Sequence, residues 1–160
     1  MKLKHITWLP AVVIMVLIFS FSHKPAVNSN ENSLTIANKV LAIYEKVTDQ
    51  QYDALKRRDQ LEKINHFIRK GAHFSEYALL AIAFAFHFFT WKWSKIKIFQ
   101  LSSIFCAVYA MTDEYHQTFI EGRSGQISDV LIDTAGAVTG ALFVILFLAI
   151  LENRHKVNIV

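Results

Sequence analysis

Four stretches of this 160-residue chain are almost free of charge, and polar or charged segments separate them. Ile6–Phe21 (ITWLPAVVIMVLIFSF), Ile98–Met111 (IFQLSSIFCAVYAM) and Thr134–Leu151 (TAGAVTGALFVILFLAIL) carry no charged residue. Ala72–Phe89 is apolar and aromatic apart from His73, Glu76 and His87. A bilayer core of ~30 Å takes about 20 apolar residues as helix, and fewer where polar ends reach the interface. Four such runs leave too little chain for a separate soluble core. The pattern therefore predicts an all-α polytopic membrane protein with four transmembrane helices, near 6–22, 72–90, 96–112 and 130–151, and one long external loop over 23–71.

That loop has a pattern of its own. In SLTIANKVLAIYEKV, Leu34, Ala37, Leu41 and Tyr44 recur at helical spacing, with Ile36, Val40, Ile43 and Val47 beside them. A second helix is expected to start near Asp59, where Asp59 and Glu62 resemble a capping box. Leu61, Ile64 and Ile68 give it an apolar face, and it can run through Gly71 into the second span. Both are read as amphipathic helices on the outer membrane surface with their charges in water. The first run, led by MKLKH, also fits a signal peptide, but SFSHKPAVNSN lacks a small-x-small cleavage site, so a retained helix is expected.

Charge sets the expected orientation. Lys2 and Lys4 precede the first span, Lys92, Lys95 and Lys97 crowd the turn after the second, and Arg154 and Lys156 follow the fourth. The turn between the third and fourth spans has only Arg123 against Asp113, Glu114, Glu121 and Asp129. Short loops rich in Lys and Arg stay cytoplasmic, so both termini are expected on the cytoplasmic side of a plasma membrane. The long loop disagrees, with nine Lys and Arg against six Asp and Glu, but segments approaching its length translocate regardless of charge. Positive charge flanking spans also accounts for the net charge of +4, so no nucleic-acid partner is expected. Cys106, the only cysteine, lies inside an apolar run and reads as core filling. Trp8, Trp91 and Trp93 read as interface anchors and His87 as an interfacial histidine.

Alternate crossing then brings two distant polar blocks together. The start of the second span, the end of the third and the start of the fourth must share one face of the membrane. Arg69, Lys70, His73 and Glu76 are thereby expected level with Asp113, Glu114, His116, Gln117, Arg123 and Asp129. His73, Glu76, Tyr77 and Leu80 share one helical face; so do Tyr109, Asp113, His116 and Gln117 if their helix extends past Thr112. Asp129, Asp133, Gly136 and Gly140 line a third face, whose GxxxG step lets another helix approach closely. These residues support three readings. They can be an ion network that fixes helix register, ligands for a divalent metal drawn from His73, Glu76, Asp113, Glu114 and His116, or a headgroup site in which Arg123 forks a phosphate.

RKGAHFSEYALL (Arg69–Leu80) and TDEYHQTFIEGRSGQISDVLIDTAGAVTG (Thr112–Gly140) resemble the two signature blocks of VanZ-like proteins, and FSFSHKP (Phe19–Pro25) resembles the stretch that closes their first span. Two positions depart: Glu121 stands where the family often has proline, and Asp133 where asparagine is commoner. The resemblance implies a single VanZ-like membrane domain over 1–160 in a bacterial cell envelope, linked through the founding member to teicoplanin resistance. It supplies no reaction. The expected partners are membrane lipids and a cell-wall precursor, lipid headgroup or glycopeptide-related ligand. The alternatives are a membrane-embedded metal-dependent hydrolase or transferase, and a scaffold with a purely structural ion network. The oligomeric state is not given by these residues.

Overall fold

The structure, a computed structural model, describes residues 3–157, with side chains described from Lys4 to Arg154. Lys2 and the Lys156 side chain, used above for orientation, lie outside the described residues. After a short 3-10 turn, Leu3–His5, the described residues form five helices: α1 Leu9–Ser22, α2 Ala26–Thr48, α3 Ala54–Thr90, α4 Lys95–Gln117 and α5 Ile127–Val157. Among the described residues there is no strand.

Proline sets the first break. Pro10 sits in the opening turn of α1, where its missing N–H costs nothing. Pro25 ends the run: it biases the residue before it away from helix and becomes the extended N-cap of α2. The chain turns there by 102°. α1 has 14 residues, a length of about 21 Å at 1.5 Å per residue, short of a bilayer core.

α3 corrects the expected start of the second loop helix. The cap is Asp53, whose side chain accepts from the Lys56 backbone N–H at 2.8 Å. Asp59 and Glu62 lie inside the helix and pair along its surface with Lys63 (2.6 Å) and Arg58 (3.2 Å). Nothing between Asp53 and Asp59 breaks a helix, so the earlier of two acceptable caps wins. α3 then runs unbroken through Gly71 to Thr90, 37 residues or about 55 Å. Much of the expected loop is therefore helix continuous with a span, and it is longer than an apolar bilayer core is thick.

α4 likewise continues past Thr112 to Gln117, which puts Tyr109, Asp113, His116 and Gln117 on helix. Among the described residues two helices, α3 and α5, are long and apolar enough to cross a membrane, and a third crossing is reached if the bent α1–α2 pair is taken as one. The expected four exceeds that number because α1 is short and α4 carries Ser102, Ser103, Asp113 and Glu114.

α3 is the central helix and packs on α1, α2, α4 and α5. Its closest neighbour is α5. A Cβ on Gly136 would lie 2.2 Å from the Phe74 carbonyl oxygen, and one on Gly140 would lie 2.2 Å from that of Ala78. The GxxxG step of α5 thus rests on the bare backbone of α3, one turn against one turn. The core around it is small-residued, with Ala11, Ala81, Ala110, Ala137 and Ala141 beside Ile18, Tyr77, Leu80 and Cys106. The outer surface of the helices is apolar and open. Val13 and Val16 of α1, Ile104 and Val108 of α4, and Phe143, Leu146 and Phe147 of α5 are all exposed. An apolar exterior of this extent is a lipid-facing surface, not one kept in water.

Side-chain pairs fix the two ends of the bundle. At one end Thr7 Oγ1 meets His87 Nδ1 at 2.9 Å and Lys95 pairs with Glu152 at 2.6 Å, with Trp8, Trp91 and Trp93 nearby in sequence. At the other end the polar residues converge.

Candidate functional site

The convergence is built by the last turn of α1, the first turns of α2, the middle of α3, the end of α4, the turn 118–126 and the start of α5. Its deepest part is a set of bonds around two buried carboxylates, in which Asp113 Oδ1 alone has no partner. Ser22 Oγ donates to Asp113 Oδ2 at 2.8 Å. Gln117 Nε2 donates to Asp113 Oδ2 at 3.1 Å and Glu114 Oε1 at 3.0 Å. The Gln126 backbone N–H donates to Glu114 Oε2 at 2.9 Å. Asp113, Glu114 and Gln117 are all buried. Glu114 lies beyond the apolar part of α4; burial pushes its carboxyl above the ordinary value, and the Gln126 N–H pulls it back.

The turn 118–126 lies flat on the end of α4 because two glycines allow it. Gly122 takes φ +71°, and a Cβ on Gly125 would lie 2.5 Å from the Glu114 carbonyl oxygen. Arg123 pins this turn to α1. Its Nη2 donates to the Phe21 carbonyl at 3.0 Å, Nε to that of Lys24 at 2.8 Å, and Nη1 to Gln117 Oε1 at 3.2 Å. The guanidinium therefore satisfies carbonyls at the C-terminal end of α1, where its charge also suits the helix dipole. Burial lowers its pKa from the usual arginine value. A guanidinium has five N–H donors; three are used here and two remain.

Above this layer a cleft of about 370 Å³ opens between α1, α2 and α3. Its polar lining includes Lys24, Ser29, Asn32, Ser33, Arg69, His73, Glu76 and Arg123, and its apolar lining includes Phe21, Ile36, Ile68 and Ala72. Three cations and one carboxylate face it. Neither Lys24 nor Arg69 has a carboxylate partner among the described residues.

The ten residues expected to form one site are thus gathered at one end but divided in role. Arg69, His73, Glu76 and Arg123 line the cleft. Asp113, Glu114 and Gln117 form the buried layer beneath it. Lys70 pairs with Asp129 at the α3–α5 contact. His116 turns away, and its Nε2 lies 3.3 Å from His23 Nδ1 with its ring against Phe19. That departure bears on the metal alternative, for among the described residues no three His, Cys, Asp or Glu side chains are placed to hold an ion.

Sequence reasoning missed Ser22, Ser29, Asn32 and Ser33, which carry no charge signal, and Lys24, which lies in the stretch read as closing the first span. It noticed Asp133 without assigning it to the site. Asp133 is fully buried, with Oδ1 3.7 Å from His73 Nδ1.

An all-helical bundle with a lipid-facing exterior and ionisable side chains gathered at one end is a small membrane protein. The chain matches the VanZ/LLP1 family model over residues 7–148 and belongs to that family. No curated protein and no solved structure matches it.

Proposed function

We propose that this protein is a multi-pass VanZ-like component of the bacterial cell envelope whose outward-facing cleft binds an anionic amphiphile. The candidate ligands are a lipid-linked cell-wall precursor, a lipid headgroup and a glycopeptide-related molecule such as teicoplanin. In this reading α1, α3, α4 and α5 cross the plasma membrane, both termini are cytoplasmic, and the cleft end faces out. α1 crosses a locally thin path, which its polar neighbours at both ends permit, and α2 leaves it at 102° to lie near the membrane plane. Its exposed Ile36, Val40, Ile43 and Val47 then meet the interface.

The observation that carries the reading is the charge of the cleft: Lys24, Arg69 and Arg123 converge on one cavity that contains a single carboxylate, Glu76. Unpaired cations beside an apolar wall suit a phosphate or carboxylate attached to a hydrocarbon chain. The buried layer of Asp113, Glu114 and Gln117 supports a structural role for those three residues, since all are enclosed and bonded to one another or to the backbone.

Native mass spectrometry of the protein extracted gently from its own membrane tests this reading. A carried anionic lipid or precursor is expected, and it should be lost in Arg69→Ala. Wild-type protein that shows no saturable association with anionic lipid, lipid-linked wall precursor or teicoplanin refutes it.

A further inference from the structure

Several buried side-chain polar atoms lack a hydrogen-bond partner, and those of His73 and Asp133 face one another. His73 Nδ1 is enclosed and both carboxylate oxygens of Asp133 are enclosed, and none of the three has a hydrogen-bond partner. They face each other at 3.7 Å, too long for a hydrogen bond and close enough for a small ring rotation to make one. With Nδ1 turned to Asp133, the rest of the ring supplies its share of the cleft wall. A histidine whose Nδ1–H is held by a carboxylate keeps its lone pair on Nε2. Glu76 lies three residues further on, on the same face of α3, and also lines the cleft. Lys24, Arg69 and Arg123 line the same cleft, Arg69 one turn before His73 on α3.

We propose that the cleft is a catalytic centre that hydrolyses a phosphate monoester carried on a long hydrocarbon chain. The proposal rests on the anionic-amphiphile reading above. A phosphomonoester has three non-bridging oxygens, and Lys24, Arg69 and Arg123 are three cations to hold them. His73 Nε2 attacks phosphorus as the bond to the chain's alkoxide oxygen breaks, and protonated Glu76 gives its proton to that oxygen. Water then attacks the phosphohistidine and passes a proton to the Glu76 carboxylate, and the N–P bond breaks. The sum is ester plus water to alcohol plus inorganic phosphate, with His73 and Glu76 restored. His73 and Glu76 are the catalytic residues here, and Asp133 is a positioning residue. Ile36, Ile68 and Phe21 form the apolar wall along which the chain leaves.

The test uses the full chain in nanodiscs containing phosphatidic acid or a polyprenyl monophosphate, with phosphatidylglycerol, a phosphodiester, as the control. Phosphate release from one or both monoesters is expected, and the two arms tell a glycerolipid substrate from a prenyl one. No release is expected from the diester. Rapid quenching should trap an acid-labile phosphoryl group on the peptide bearing His73. His73→Gln should bind the monoester and lose turnover by about 100-fold or more. Asp133→Asn should keep binding and shift the pH profile of turnover, which a purely structural role would not do. If His73→Gln fails to fold, the trapped wild-type peptide decides the matter alone. Saturable binding of both monoesters with no phosphate released and nothing trapped overturns the catalytic proposal and leaves the binding reading standing. Absence of saturable binding of either monoester also overturns the catalytic proposal, and when joined by absence of binding to lipid-linked wall precursor and teicoplanin it defeats both. Release that persists undiminished in folded His73→Gln also overturns it.

Discussion

Gly136→Ala is the most informative single change in the fold, because it adds one methyl group at the tightest point between the two longest helices. The new Cβ would sit 2.2 Å from the Phe74 carbonyl oxygen, 1.2 Å short of the 3.4 Å at which ordinary contact begins. The obstacle is backbone, so no side chain can rotate away. α5 must lift from α3 by about an ångström or tilt about its contact at Gly140. Forced overpacking of this kind costs about 1–3 kcal/mol, which is roughly a 5- to 150-fold loss in the folding equilibrium. The damage reaches the site, since Asp133 lies one turn before Gly136 and His73 adjoins Phe74. The His73–Asp133 gap of 3.7 Å should widen. Gly71→Ala is the paired control. That glycine is inside α3 with nothing within 4 Å of the place its methyl group would take, so alanine there should stabilise by up to about 1 kcal/mol through helix propensity alone. Unfolding of the purified protein by SDS titration in mixed micelles, followed by circular dichroism, should give a lower midpoint for Gly136→Ala and an equal or higher one for Gly71→Ala. Identical midpoints for Gly136→Ala and wild type would show that the α3–α5 contact is not as drawn.

Other consequences follow from the same geometry. Asp53→Ala should cost about 1 kcal/mol in the same titration and Asp59→Ala much less, because Asp53 caps α3 and Asp59 does not; the reverse order would restore the later helix start. Arg123→Lys should speed proteolysis within 118–126, since one ammonium cannot replace three bonds to Phe21, Lys24 and Gln117; an unchanged digestion rate would argue against the pin. Glu114 has a folded pKa raised above its ordinary value of 4.5, so the folded state holds its proton longer than the unfolded chain. Its contribution to stability is therefore largest below that ordinary value and declines as pH rises through the folded pKa. Glu114→Gln should flatten this part of the stability–pH curve, and a curve of unchanged slope would count against it. Cysteines introduced at Ser124 and at Lys95 should label from opposite sides of the membrane, the former from outside; labelling from one side would end the proposed topology.

Part of this was readable along the chain because helices announce themselves through local rules. The apolar runs, the i, i+3, i+4 faces and the GxxxG step depend on residues within a few turns of each other, and so does the family pattern carried by residues 69–80 and 112–140. Connectivity then required the two polar blocks to meet at one end, and they do, through Lys70 with Asp129 and His73 beside Asp133. Where local signals were duplicated, they could not arbitrate. Asp53 and Asp59 both make sound caps, and Thr112 is no barrier to a helix that continues to Gln117.

The division of labour within the site was decided only by the tertiary structure. Charge and spacing made ten residues look alike, but whether a side chain faces a cleft, a neighbour's carbonyl or open surface depends on helix rotation and on elements far away in sequence. Ser22 reaches Asp113 across 91 positions, and Arg123 reaches Phe21 across 102. The cleft itself exists because Pro25 swings α2 away from α1, leaving space that α3 only partly fills. A pattern in one chain specifies which surfaces want partners; the packing of all five helices specifies which partners they get.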